Sequence, residues 1–114
     1  MIRGKVVLVP FPFDDLSGTK VRPAVCLTEP IGTHRHVIIA FISSRIPDDL
    51  METDLILDSS QTDFIGTGLR VTSTLRLHRL MTVTTSFIQR ELGNFSPQIQ
   101  EEVNIRLRKL FSLV

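Results

Sequence analysis

Short apolar runs rich in β-branched residues alternate with clusters of turn-forming residues along most of this 114-residue chain. The runs predict β-strands over residues 5–10, 22–28, 36–43, 53–57 and 69–77, with short closing strands at 80–82 and 91–93. Short strands separated by regular turn signals are typical of a small barrel or sandwich. A chain of this length builds one hydrophobic core, so we expect a single domain over residues 1–114.

The last part of the chain has the pattern of an amphipathic helix. Ser96 followed by Pro97 is the order expected of an N-cap and the first helical residue. Apolar residues then recur at helical spacing and form one stripe: Ile99, Val103, Leu107 and Leu110. We expect this stripe to pack on the sheet. The strands at 22–28 and 36–43 are too apolar to be half-exposed, so they are expected at the centre of the sheet.

The distribution of apolar residues indicates a cytoplasmic protein. Residues 37–42 form one of the longest uncharged apolar runs, far below the roughly 20 residues that span a bilayer. Residues 1–5 lead directly into a predicted strand, without the apolar region of a secretory signal. The single cysteine, Cys26, lies in an apolar run and is expected to be a small buried hydrophobic residue.

The charges are nearly balanced overall but unevenly distributed. Thirteen Lys and Arg face twelve Asp and Glu, so the net charge of +1 gives no global signature of nucleic-acid binding. Basic residues bracket the strand at 36–43 and cluster again over residues 70–79, whereas acidic residues concentrate between the two groups. One face of the protein is therefore expected to be basic. The acidic pairs at 14–15 and 48–49 lack further ligands at useful spacing, so no metal site is predicted.

Five segments carry a resemblance to a known family. They read RGKVVLVPFPF at residues 3–13, LSGTKVRPAV at 16–25, IAFISS at 39–44, LRL at 75–77 with LMTV at 80–83, and LGNFS at 92–96. In this order they resemble the MazF/PemK toxins of type II toxin–antitoxin systems, over nearly the whole chain. None of the five is diagnostic alone, but five in register are hard to obtain by chance.

The resemblance implies a fold and an activity. It implies a mainly β fold, a small SH3-like barrel with a C-terminal α-helix, that forms a homodimer and binds single-stranded RNA in a groove across the interface. It also implies an endoribonuclease without metal or other cofactor: a base deprotonates the 2′-hydroxyl, its oxygen attacks the phosphorus, and a 2′,3′-cyclic phosphate and a 5′-hydroxyl result. A cognate antitoxin is expected to inhibit the enzyme by covering the groove.

Two candidate catalytic residues lie at the ends of predicted central strands. Arg22 is the arginine of the family's Arg-Pro motif, and its guanidinium suits a phosphate. Its alternative role is an ion pair with Asp14 or Asp15. Ser43 stands where the family most often has threonine and keeps the hydroxyl donor. Its alternative is a strand-end serine that binds its own turn.

Arg76 and His78 are the other two catalytic candidates, and here the sequence departs from part of the family. The PemK/Kid-type branch resembles an Arg-x-Asp arrangement, whereas this chain has Arg76-Leu77-His78. Strand alternation puts Arg76 and His78 on the same exposed face. Because histidine titrates near neutral pH, His78 is a competent general base, although it is equally a phosphate ligand or a solvated surface residue.

The remaining candidates are predicted to bind RNA. Phe11 and Phe13 flank a loop and are the aromatics best placed to stack on a base, with core or dimer packing as their alternative. The polar candidates are Lys20, Ser44, Arg45 and Arg79. Two other functions stay open: a non-catalytic SH3-like module that binds nucleic acid or peptide, and a degenerate toxin that binds only its antitoxin.

Overall fold

The computed structural model describes residues 1–11 and 20–114. The elements are β1 (Lys5–Pro10), β2 (Val21–Cys26), β3 (His36–Ser43), β4 (Asp54–Leu57), β5 (Ser73–Thr84), β6 (Arg90–Asn94) and helix α1 (Pro97–Leu110). Two 3₁₀-helices, Thr62–Thr67 and Thr85–Phe87, connect strands. The predicted mainly β fold with a C-terminal helix is confirmed, and β1 and β3 have the bounds expected from the sequence.

The six strands form one antiparallel sheet in the order β4-β5-β3-β2-β1-β6. The apolar strands β2 and β3 are at its centre, as expected. Alternation along β2 sends Val25 into the core cluster that α1 covers, whereas Ala24 and Cys26 join a second cluster with Phe41 on the opposite face. The sheet therefore buries apolar residues on both faces.

Strand β5 differs from its prediction. The sequence predicted two strands, at 69–77 and 80–82, but one continuous strand runs from Ser73 to Thr84. Its pairing with β3 shifts between Ala40, which faces Leu80, and Ile42, which faces Leu75. The alternation of exposed and buried residues breaks inside this bulge, which is why the sequence indicated an interruption where the pairing in fact continues.

The sheet curls into a half-barrel because the segment after β4 reaches β6. A Cβ atom on Gly68 would lie 2.1 Å from the carbonyl oxygen of Leu92, and one on Gly93 would lie 2.2 Å from that of Gly66. Gly68 also has a φ of +75°, a region that side chains disfavour. The two glycines thus permit the backbone contact between β6 and the segment after β4, and the predicted small barrel takes this form.

Helix α1 begins as the sequence predicts. The hydroxyl of Ser96 accepts the N–H of Ile99 at 3.1 Å and donates to Asp63 Oδ2 at 2.7 Å. The apolar stripe packs on the core cluster, with Val103 fully buried. Within residues 1–11 and 20–114, no helix is long and apolar enough to cross a membrane.

Ser96→Ala is expected to lower the free energy of unfolding by about 1 kcal/mol, because it removes the N-cap acceptor and the bond to Asp63. Urea denaturation of both proteins measures the difference. Gln98→Ala is the control, since Gln98 is exposed in the same helical turn. Equal losses in the two variants would show that the cap does not stabilise this helix.

Cys26 is fully buried, as the sequence predicted. Burial raises the pKa of its thiol to about 11, because the thiolate is disfavoured away from water, and nearby Glu91 adds to the effect. Little thiolate is present near neutral pH, so Cys26 is a packing residue and not a nucleophile.

Candidate functional site

The main candidate site is a cleft of about 450 Å³ beside the first residues of β2, the last residues of β3 and the bulge of β5. We call it the arginine cleft. Its walls are Phe11, Arg22, Phe41, Ile42, Ser43, Ser44, Arg45, Arg76 and Arg79. Four guanidinium groups and two hydroxyl groups thus surround one open space, which suits an anionic ligand.

The arginine cleft brings together seven of the ten residues predicted from the sequence. They are Arg22, Ser43, Arg76, Phe11, Ser44, Arg45 and Arg79. In the described part of the chain, His78 and Lys20 are not among its walls. The carbonyl of Lys20 accepts the N–H of Phe11 at 2.9 Å, while its side chain is exposed. Phe13 lies outside the described residues, as do Asp14 and Asp15, the alternative partners of Arg22.

Phe11 organises the arginines at the centre of the arginine cleft. The guanidinium carbon of Arg22 lies 5.6 Å from the centre of its ring, and that of Arg79 lies 5.7 Å from it. The ring in turn contacts Phe41 edge-on, with centroids 4.9 Å apart at 88°. Cation–π attraction therefore holds two guanidinium groups beside one ring at the wall of the arginine cleft, an arrangement that suits an incoming phosphate. Stacking of Phe11 on a base stays a prediction.

Ser43 combines the two roles that the sequence left open. Its hydroxyl oxygen accepts the N–H of Arg45 at 3.1 Å, so it does bind its own turn. The same bond leaves the hydroxyl proton available to a ligand, because a serine hydroxyl both donates and accepts. The turn thereby fixes the position of the hydroxyl at the wall of the arginine cleft.

Arg76 is held by a buried carboxylate that sequence reasoning missed. Its Nε donates to Asp54 Oδ1 at 3.2 Å and its second guanidinium nitrogen lies 3.2 Å from Oδ2, a two-point contact. The Asp54 side chain is inaccessible to solvent and also accepts the N–H of Met51 at 2.9 Å. Asp54 therefore fixes the direction in which Arg76 enters the arginine cleft.

His78 lies on the same side of β5 as Arg76, as alternation predicted, but it turns towards β4. Its Nδ1 is 4.0 Å from Asp54 Oδ1, and 36% of its side chain is exposed. The sequence has histidine where the PemK/Kid-type motif has aspartate. Nevertheless a carboxylate is present beside Arg76 and His78, because Asp54 supplies it from the neighbouring strand.

The signal for Asp54 was present in the sequence. It is an acidic residue inside the predicted strand at 53–57, and acids are almost never buried without a partner. The partner could not be named, because the register between β4 and β5 pairs Asp54 with Arg76 and was unknown.

The electrostatics of the arginine cleft are one-sided. Among the described residues that form its walls there is no carboxylate and no imidazole. Nor does the described part of the chain contain a group of three or more His, Cys, Asp or Glu that could hold a metal ion. The arrangement can bind a phosphate and stabilise negative charge that develops on it.

A smaller cavity of about 170 Å³ lies between β4, the first 3₁₀-helix and α1, and it has the opposite character. Three acids contribute to its walls: Asp58, Asp63 and Glu102. Hydrogen bonds from the backbone and hydroxyl of Ser60 lower the pKa of Asp58, so this carboxylate is charged near neutral pH. Such a cavity does not suit an anion.

Comparisons with known proteins give a consistent result. A family model described as PemK-like, MazF-like toxin of type II toxin-antitoxin system matches residues 2–111. No curated protein sequence matches the chain.

Three solved structures share the fold. One is described as Mycobacterium tuberculosis toxin MazF-mt6, with a TM-score of 0.73 and 18% identity over 96% of this chain and 98% of that chain. A second is described as an endoribonuclease in complex with its cognate antitoxin from a mycobacterial species. Its TM-score is 0.72 and its sequence identity is 17%, over 100% of this chain and 97% of that chain. A third is described as MazE-MazF (Form-III) from Deinococcus radiodurans. Its TM-score is 0.71 and its sequence identity is 16%, over 100% of this chain and 98% of that chain.

Proposed function

Because the chain belongs to the PemK-like, MazF-like toxins of type II toxin-antitoxin systems, we propose that it is an endoribonuclease that cuts single-stranded RNA without a metal ion. One observation carries the proposal: four arginines and two serines form the walls of a single cleft of about 450 Å³. A similar solved structure is itself described as an endoribonuclease.

The proposed reaction uses the 2′-hydroxyl of the RNA as the nucleophile. A base removes its proton, the oxygen attacks the adjacent phosphorus, and the bond from phosphorus to the 5′-oxygen breaks, which produces a 2′,3′-cyclic phosphate. The protonated base, or a water molecule, gives a proton to the 5′-oxygen, which leaves as a hydroxyl. Negative charge builds on the phosphoryl oxygens in the transition state, where Arg22, Arg76 and Arg79 stabilise it. An arginine does not release its proton at neutral pH, so these residues supply charge and orientation.

The arginines make a metal ion unnecessary for charge stabilisation in this scheme. Incubation of the protein with a long single-stranded RNA in EDTA is expected to give fragments with 2′,3′-cyclic phosphate and 5′-hydroxyl ends. Fragments that appear only after magnesium is added would contradict a metal-independent reaction.

Ser43→Ala is expected to lower the rate of RNA cleavage by about 10² to 10³, the cost of removing one positioned donor to a developing oxyanion. Single-turnover cleavage of a short RNA measures the chemical step. Ser43→Thr is the matched variant, since it keeps the hydroxyl. If alanine and threonine are equally active, the hydroxyl of Ser43 does not act on the phosphate.

We propose His78 as the general base, because it lies on the same side of β5 as Arg76 and 36% of its side chain is exposed. In this role the side chain of His78 rotates away from β4 and towards the RNA when the RNA binds. His78→Gln is then expected to lower the rate of RNA cleavage by about 10² to 10⁴, the usual contribution of a positioned general base. An unchanged rate in His78→Gln would assign the base to another group.

The proposed partners follow from the family. We propose that the protein forms a homodimer, acts in the cytoplasm where its RNA substrate is made, and is inhibited by a cognate antitoxin. One similar structure is described as a complex with a cognate antitoxin. Expression is expected to arrest growth, and coexpression of a cognate antitoxin is expected to restore it. Harmless expression of folded protein would favour a degenerate toxin.

A non-catalytic RNA-binding module is the second candidate. It is favoured by the absence of a carboxylate or imidazole among the described walls of the arginine cleft. Binding without any cleavage, with a slope of log K against log salt of roughly −0.7 per phosphate neutralised, would select it over the enzyme.

A further inference from the structure

A second cavity of about 360 Å³ continues the arginine cleft along the surface. Arg22, Ile42 and Ser44 form walls of both. An RNA chain whose phosphate is bound at Arg22 therefore reaches the second cavity with its next nucleotide, because no barrier lies between the two cavities.

The walls of the second cavity combine aliphatic surface with unpaired cations. The aliphatic part is Leu8, Pro23, Leu69 and Leu92. Arg70 and Arg90 are both exposed, and neither forms a salt bridge or a side-chain hydrogen bond with a residue that the structure describes. Their donors are thus available to a ligand, while the aliphatic walls suit the flat face of a ring.

The fold holds these two arginines near each other although twenty positions separate them in the chain. Gly68 contacts the backbone of Leu92 so closely that no side chain fits between them. Arg70 lies two residues after Gly68, and Arg90 lies two residues before Leu92. The contact that closes the half-barrel therefore brings both arginines to the walls of one cavity.

We propose that the second cavity is a base pocket, which binds the nucleobase next to the phosphate in the arginine cleft and selects guanine. The proposal rests on the proposed function, which makes RNA the ligand. Guanine presents two adjacent acceptors, O6 and N7, to which a guanidinium donates in a bidentate pair. Adenine has an amino donor beside N7, and uracil has no two adjacent acceptors, so neither matches a guanidinium in this way. Cytosine has the adjacent acceptors O2 and N3, but its single ring buries less surface against the aliphatic walls than a purine does.

Charge and continuity favour a nucleic acid over a protein in this cavity. No carboxylate is among its walls in the described part of the chain, and it opens into a cleft that itself contains four guanidinium groups. Sequence specificity in single-stranded RNA recognition comes from bases splayed into such pockets, whereas phosphate contacts set only position.

Binding of non-cleavable RNA tests the pocket separately from catalysis. Fluorescent 2′-O-methyl pentamers carry one guanine, adenine or uracil at each position of a cytosine background, and anisotropy gives their affinities. The wild-type protein is expected to prefer guanine at one position by on the order of tenfold. Arg70→Ala combined with Arg90→Ala is expected to remove that preference, because both bidentate donors are lost.

Arg108→Ala is the control for lost charge, since Arg108 is exposed on α1 and outside both cavities. It is expected to keep the guanine preference. Equal affinity of the wild type for all bases, or an unchanged guanine preference in the double variant, would overturn the proposal. So would a double variant whose only change is loss of the dimer in sedimentation, because the cavity would then be a contact between copies.

Cleavage of ordinary RNA is measured in parallel with the wild type and the double variant, and it distinguishes failure of the base pocket from failure of the proposed function. A protein that prefers guanine through Arg70 and Arg90 but never cleaves RNA would keep the base pocket and reject the ribonuclease. A protein that cleaves RNA with no dependence on these arginines would keep the ribonuclease and reject the base pocket.

Discussion

Arg22→Ala is expected to lower the rate of RNA cleavage by about 10² to 10⁴, the largest effect on activity that the arginine cleft implies. Arg22 forms a wall of both cavities, so its guanidinium is at the point where the RNA backbone passes from one to the other. Its guanidinium carbon lies 5.6 Å from the ring centre of Phe11, which limits the directions it samples. A charge positioned before the reaction costs no reorganisation when the transition state forms.

Arg22→Lys separates charge from geometry in the same experiment. A lysine keeps the positive charge but loses the planar fork that binds two phosphoryl oxygens, so its rate is expected to fall between those of the wild type and the alanine variant. Arg108→Ala controls for the overall loss of one charge and is expected to cleave at the wild-type rate. Full activity in Arg22→Ala would remove this residue from the mechanism, whatever the other variants do.

The sequence was sufficient for the parts of the fold that depend on local pattern. β1 ends at Pro10, where the sequence pattern predicted its end, and α1 begins after Ser96 because that hydroxyl replaces a missing backbone acceptor. The sequence also predicted that Arg22 and Ser43 belong to one site, because each lies at the end of a central strand. In the structure they are walls of one cleft.

Features that depend on pairing between distant segments could not be predicted. The bulge of β5 arises because the strand pairs with β3 and β4, and no single-strand pattern encodes both registers. The contact of Gly68 with Leu92 also joins segments that are distant in the chain. The approach of Arg70 to Arg90 depends on that contact. For the same reason the sequence predicted His78 at the phosphate, whereas the side chain contacts Asp54 outside the arginine cleft.

Asp54→Ala is expected to lower the free energy of unfolding by about 3 kcal/mol, the largest effect on stability among the proposed variants. The substitution leaves Arg76, whose side chain is 18% exposed in the native protein, without its two-point partner, and it leaves the N–H of Met51 without its acceptor. That loss is a large fraction of the free energy of unfolding of a small domain, which is about 5 to 15 kcal/mol. Urea denaturation with a cooperative two-state fit measures it.

Asp49→Ala is the matched control, because Asp49 faces the same guanidinium nitrogen of Arg76 at 3.7 Å but is 81% exposed. Water and salt screen that pair, so its removal is expected to change stability by less than about 0.5 kcal/mol. Asp54→Asn tests the part due to charge, since the amide oxygen still accepts the N–H of Met51. Equal stability of Asp54→Ala and Asp49→Ala would mean that the buried carboxylate does not hold Arg76 in place, and the direction of Arg76 into the arginine cleft would then need another cause.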